Sequence, residues 1–177
     1  MKKKNFRNLI LPFYAAIFFF SCGQKNRPSN EVKMPTTEES IQAGKSMARQ
    51  EDGDITAYVK RYDLKMERTG TGLRYKIFNE GVGKKAGPGM KATVKFKTSL
   101  LNGTICYSSD STGNETFVVD HDNVESGLHE GIKKLAKGGI AKFILPSHLA
   151  HGLTGDNNRI PARSPVVYDI ELIDLKE

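Results

Sequence analysis

Residues 127–139 read GLHEGIKKLAKGG, and their reading decides the fold. Leu128, Ile132 and Leu135 recur at spacings of four and three, and Val124 stands four residues before Leu128. Apolar residues at that spacing share one face of an α-helix. Gly138-Gly139 stops it, because glycine is favoured just past a helix C-terminus. On both sides the helical period gives way to strands. Downstream, residues 140–145 form a strand that ends at Pro146. In the last segment, 166–175, Tyr168, Ile170 and Leu172 point one way, and Val167, Asp169, Glu171 and Ile173 the other. Upstream, Ala92, Val94, Phe96, Thr98 and Leu100 alternate on one strand. The Asn102-Gly103 pair, the strongest short hairpin signal, folds the next strand back. Residues 73–78 and 116–119 read as two further short strands. The glycine-rich stretch 81–89 reads as a loop; it lacks the Gly-Lys-Ser/Thr ending and the following helix of a phosphate-binding loop. Antiparallel strands with one helix laid across them predict an α+β domain over residues 70–177. Its form is a curved antiparallel β-sheet wrapped around one α-helix.

The segment before this domain divides into three. Residues 1–21 carry Lys2, Lys3, Lys4 and Arg7, then an apolar run of 12 residues, 9–20. That run is shorter than the roughly 20 residues of a spanning helix and suits a signal peptide. It closes on Ser21-Cys22-Gly23, which resembles a bacterial lipobox. The resemblance implies cleavage before Cys22 and lipidation of that cysteine. Acyl chains contribute about 0.8 kcal/mol per buried CH₂, so a multiply acylated N-terminus stays on the membrane. Residues 22–36 are polar, contain two prolines and read as a flexible tether. Residues 37–69 form a helical extension, with Thr37 as N-cap and Glu38 and Glu39 in the first turn. Asp52-Gly53-Asp54 interrupts it, and Asp54 caps a second helix over 55–62. Ile55, Tyr58, Val59 and Tyr62 share one face of that helix. This face packs on the following domain, or it forms a dimer or docks a partner.

The chain carries a formal charge of +7. Four of its 27 basic residues lie in the signal segment; the other 23 oppose 20 acids, leaving about +3 on the mature chain. That is too little for a nucleic-acid footprint. Cys106 is the only thiol outside the lipidation motif, which excludes an internal disulfide and a zinc cluster built from cysteines. His148 and His151 are close in sequence but have no carboxylate at ligand spacing, and no metal or cofactor is expected. His129 falls opposite Leu128 and Ile132 and is expected in solvent.

Three motifs then give the domain a family resemblance. Gly127-Leu128-x-Glu130-Gly131-Ile132-Lys133-Lys134-Leu135-x-x-Gly138-Gly139 is the first. Leu145-Pro146-Ser147-x-Leu149-Ala150-x-Gly152 follows, then Ile160-Pro161-x-x-Ser164-Pro165-Val166-Val167-Tyr168-Asp169-Ile170-Glu171-Leu172. Together they resemble the FKBP-type peptidyl-prolyl cis-trans isomerases. The full layout, with Thr69 to Tyr75 as a T-x-x-G-L-x-Y strand, is similar to lipoprotein members associated with gliding motility. The resemblance implies a rotamase that assists protein folding by acting on X-Pro bonds of envelope polypeptides. It implies a lipid-anchored protein, at the outer membrane and facing the periplasm.

The resemblance also assigns the pocket. Phe96, Tyr107, His151 and Tyr168 stand at its catalytic positions, and Cys106, Val124, Glu125, Leu128 and Ile160 at substrate-binding ones. His151 takes the place of a tyrosine that donates to a ligand carbonyl. The chain departs from the family at the Phe-Asp pair, here Cys106-Tyr107. Glu115, Glu125 and Arg159 replace apolar residues. These changes predict a wider, more polar pocket and reduced activity. Three readings stand: an isomerase; a weak or inactive FKBP-like binding or chaperone module, as part of a motility or secretion assembly; and a thiol enzyme in which His151 activates Cys106.

Overall fold

The computed structural model describes residues 35–177. The signal segment, the lipidation site Cys22 and nearly all of the tether lie outside the described residues.

A seven-stranded antiparallel sheet forms the body of the domain. In chain order its strands are β1 (Glu67–Arg68), β2 (Arg74–Asn79), β4 (Lys91–Leu100), β5 (Ile105–Ser108), β6 (Glu115–Val118), β8 (Ile140–Leu145) and β9 (Val166–Lys176). They are ordered β1-β2-β8-β9-β4-β5, with β6 also pairing to β4. β3 (Val82–Lys85) pairs with β7 (Ala136–Lys137) in a separate ribbon. The stretch expected as a loop therefore contains a short strand. Its partner is the residue pair just before the Gly138-Gly139 stop.

The alternation read along β9 survives in the fold, but both faces are used. Val166, Tyr168, Ile170 and Leu172 are buried in the main core with Phe143 and Leu145 of β8. Val167, on the opposite face, is also fully buried. It joins Ile144 and Ile55 in a second cluster, flanked by Tyr58, Val59, Met66 and Leu101.

Ile55 belongs to α1 (Thr37–Arg61), a single unbroken helix. The N-cap is Thr36, one residue before the expected Thr37, and its hydroxyl forms a capping box with Glu39. The expected break at 52–54 does not occur. A glycine inside a helix costs about 1 kcal/mol relative to alanine. Tertiary contacts just before Gly53, with buried Ile55 just after it, offset that cost. Asp52 pairs with Arg74 at 2.9 Å and Arg68 at 3.2 Å. The Glu51 carboxylate accepts from the backbone N–H and the hydroxyl of Ser147. Asp52, the first residue of the predicted turn, anchors the helix to β1 and β2 rather than stopping it. Tyr62, on the same predicted face, remains exposed. Among the described residues no helix is long and apolar enough to cross a membrane.

The helix that decides the fold is α3 (Ser126–Ile132), shorter than its apolar spacing suggests; α2 (Ser109–Thr112) is a single turn. Val124 and Leu135 flank α3 on either side, yet Leu135 is fully buried. Gly127 and Gly131 set the distance to β8. A Cβ at Gly127 would lie 2.6 Å from Leu145 Cγ, and one at Gly131 2.7 Å from the Phe143 ring. The backbone of α3 therefore lies against side chains of the sheet with no space for a methyl. Gly131→Ala should lower stability by about 1–3 kcal/mol through overpacking, despite alanine's better helix propensity. A denaturant midpoint equal to or above wild type would show that α3 can lift off β8 freely.

Candidate active site

One row of side chains crosses the sheet. Tyr107 of β5 stands opposite Thr98 of β4, Thr98 opposite Tyr168 of β9, and Tyr168 opposite Phe143 of β8. Directly paired residues project to the same face, so this register sets aromatic groups side by side on the α3 side. Phe96, two residues before Thr98, adds a ring tilted against Tyr168, with centroids 6.4 Å apart.

Phe96, Thr98, Tyr107 and Tyr168 wall a cavity of about 290 Å³. Phe96, Tyr107 and Tyr168 form its aromatic side, Val124 and Glu125 its α3 side, and His151 and Glu115 its rim. Six of the nine predicted site residues are thus brought together. Cys106, Leu128 and Ile160 are not on the cavity wall. Each is at most 2% exposed and belongs to the core cluster against which Phe96, Tyr107 and Val124 pack.

The polar wall is wired together. Glu125 precedes the first turn of α3 without capping it. Its carboxylate instead accepts from the Tyr168 hydroxyl at 2.8 Å and lies 2.9 Å from His151 Nε2. Burial, reinforced by the Glu125 charge, pushes the Tyr168 phenol well above its ordinary range, so it stays a donor. His151 is held on a carboxylate, not free to meet a ligand carbonyl as the resemblance implied. Burial, and then Glu125, push the Glu115 carboxyl up.

The second knot joins two segments 49 residues apart that no local pattern connects. The Tyr107 hydroxyl donates to Asp156 Oδ2. Asp156 Oδ1 accepts the backbone N–H of Asn158 at 2.9 Å and of Ile160 at 2.8 Å. Burial works against the charge, but these donors win and hold the Asp156 carboxyl down at about 2. Arg159 lies over the Tyr107 ring and donates to the Cys106 carbonyl at 2.7 Å. So the substitution that removed a carboxylate from position 107 left a phenol that reaches one 49 residues further on. The signal was present as Asx-turn chemistry in Gly155-Asp156-Asn157-Asn158, and Gly155 has φ +72. A Cβ there would lie 2.2 Å from the Ile160 carbonyl oxygen.

Two expectations are overturned. Cys106 is 1% exposed, its sulfur contacts the carbonyls of Thr104 and Arg159, and burial raises its thiol. With His151 on Glu125, no base activates it, and the thiol-enzyme reading falls. His129 is half-buried rather than free in solvent. Its Nδ1 accepts from the Asp120 N–H, its Nε2 lies 3.0 Å from the Asp122 carbonyl, and its ring meets Phe117 edge-on.

Comparison with known proteins identifies the family of this domain. A family model described as FKBP-type peptidyl-prolyl cis-trans isomerase matches residues 83–173. The chain is 38% identical over 122 residues to the isomerase FkpA of Buchnera aphidicola from Schizaphis graminum, covering 67% of this chain and 48% of that protein. It is 32% identical to FkpA of Escherichia coli over 111 residues, covering 63% of this chain and 40% of that protein. The crystal structure of E. coli FkpA superposes with a TM-score of 0.61 and 28% identity, over 80% of this chain and 74% of that one. The chain spans about half the length of the curated relatives it matches. With the three motifs, the sheet-and-helix frame and the matched span in agreement, this chain belongs to the FKBP-type peptidyl-prolyl cis-trans isomerase family.

Proposed function

We propose that this protein is a peptidyl-prolyl cis-trans isomerase acting on X-Pro bonds of envelope polypeptides. The observation that carries the reading is the cavity walled by Phe96, Tyr168 and Val124 at the end of the sheet. Rotation about an X-Pro bond is opposed by about 18–20 kcal/mol of amide resonance. Resonance places charge on the carbonyl oxygen and nitrogen, and water stabilises that charged form. Aromatic walls that displace water favour the twisted, less dipolar transition state. About 4 kcal/mol of such differential stabilisation gives roughly a thousandfold acceleration. No covalent nucleophile takes part, in keeping with the inert Cys106.

The lipobox-like Ser21-Cys22-Gly23 supports anchoring through lipidated Cys22 at the outer membrane, facing the periplasm. The similarity to gliding-motility lipoproteins suggests clients in a motility or secretion assembly. Labelled palmitate incorporated by the wild type and lost in Cys22→Ser tests the anchor.

A second reading, a binding module without catalysis, is favoured by the charged Glu115, Glu125 and His151 in the same wall, which retain water. Exchange spectroscopy on proline peptides separates the two. Acceleration over the spontaneous rate, abolished in Phe96→Ala with Tyr168→Ala, is the expected result. Peptide shifts on binding with the spontaneous exchange rate would establish the module instead.

A further inference from the structure

The isomerase cavity carries an unusual charge pattern. Glu115 enters from β6 and Glu125 from the start of α3. No lysine or arginine lines the cavity among the described residues. Arg159, whose guanidinium lies over the Tyr107 ring, donates to the Cys106 carbonyl. Glu125 has two partners, Tyr168 and His151; Glu115 has neither an ion pair nor a hydrogen bond among the described residues. Glu115, Glu125 and His151 do not converge as a metal-holding group. An independent feature of the same wall is Thr98. It is 1% exposed, and its hydroxyl, beside the Tyr168 phenol that already donates to Glu125, makes no well-formed hydrogen bond among the described residues. A buried hydroxyl without a partner is costly until a polar group meets it.

We propose that the pocket selects X-Pro segments with a lysine or arginine next to the proline, Glu115 and Glu125 receiving the cation and Thr98 a polar backbone atom of the segment. The inference rests on the isomerase reading for where the proline sits. The pyrrolidine ring occupies the Phe96–Tyr168 side, and the flanking side chain extends toward β6. A cation there relieves the repulsion between the two carboxylates. An acidic flanking residue meets like charge in a half-enclosed space, which is how a site rejects a competitor. A neutral aliphatic residue gains neither effect.

The test is a peptide series with Lys, Arg, Leu or Glu before the proline, and a second with the same residues after it. Exchange rates are measured with residues 35–177, which carry α1 and every strand of the sheet. Lys and Arg peptides should be turned over about tenfold faster than Glu peptides, the preference shrinking at high salt. Glu115→Gln should bring the Lys-to-Leu ratio toward one, and Glu125→Gln should act the same way if it folds. Equal acceleration of all peptides overturns the selectivity and leaves the isomerase reading intact. No acceleration of any peptide, with tighter Lys-peptide binding lost in Glu115→Gln, overturns the isomerase reading and sustains the charge selection.

Discussion

Ile55→Asp should cost more than about 4 kcal/mol, a large share of the 5–15 kcal/mol that holds a domain folded. Ile55 is 1% exposed and closes the contact between α1 and the outer face of the sheet, on Ile144 and Val167. Truncating a buried isoleucine costs about 2–5 kcal/mol, and a carboxylate in its place is both desolvated and unpaired. Asp52 and Glu51, one turn earlier, add like charge, and the nearby Arg74 is already paired with Asp52. Ile41, on the exposed first half of the same helix, is the control. Ile41→Asp should stay within about 0.5 kcal/mol of wild type, as surface changes do. Urea midpoints for the two variants decide the point. A small change in Ile55→Asp would mean that α1 is an appendage and the back of β8 and β9 stands without it.

That helix shows where sequence reading stops. The face formed by Ile55, Tyr58 and Val59 was legible, because helical spacing is a local property. Its continuity through Asp52-Gly53-Asp54 was not, because the partners of Asp52 lie 16 and 22 residues away. The same division holds for α3. Val124 and Leu135 share its apolar face by position just outside the helix, so spacing overstates its length. In the site, Phe96, Val124 and Tyr168 follow from strand alternation and from the family motifs. Tyr107 was read as a loss, since sequence shows the missing carboxylate but not the reach of the phenol that replaced it. Asp156 sits in a turn whose Asx pattern is visible, yet nothing in that pattern says that it closes on β5.

Asp156→Ala should therefore have the largest effect on activity without touching the cavity wall. Asp156 ties three groups together: the Tyr107 hydroxyl and the Asn158 and Ile160 N–H groups. Removing the carboxylate frees the Tyr107 ring and slackens the turn that seats Ile160, which is 2% exposed. A catalytic wall displaced by about 1 Å can lose a hundredfold in rate, and that is the expected loss of X-Pro acceleration. Stability should fall by about 1.5–3 kcal/mol, the range for hydrogen bonds to a charged acceptor. Asp156→Asn keeps an acceptor for the two N–H groups and should retain the fold while losing part of the rate. The acid limb supplies a second readout. The folded carboxyl titrates at about 2, below its ordinary 3.8, so its stabilisation is present above about pH 4 and is lost as pH falls toward 2. Asp174, held down by Lys137 and Lys176, titrates in the same window in both proteins and cancels from the difference. The gap in stability between wild type and Asp156→Ala should thus narrow from pH 5 to pH 2. A gap constant across that range, or an Asp156→Ala protein as active as wild type, would mean that Tyr107 keeps its place without the carboxylate. The pocket would then be shaped by the sheet register alone.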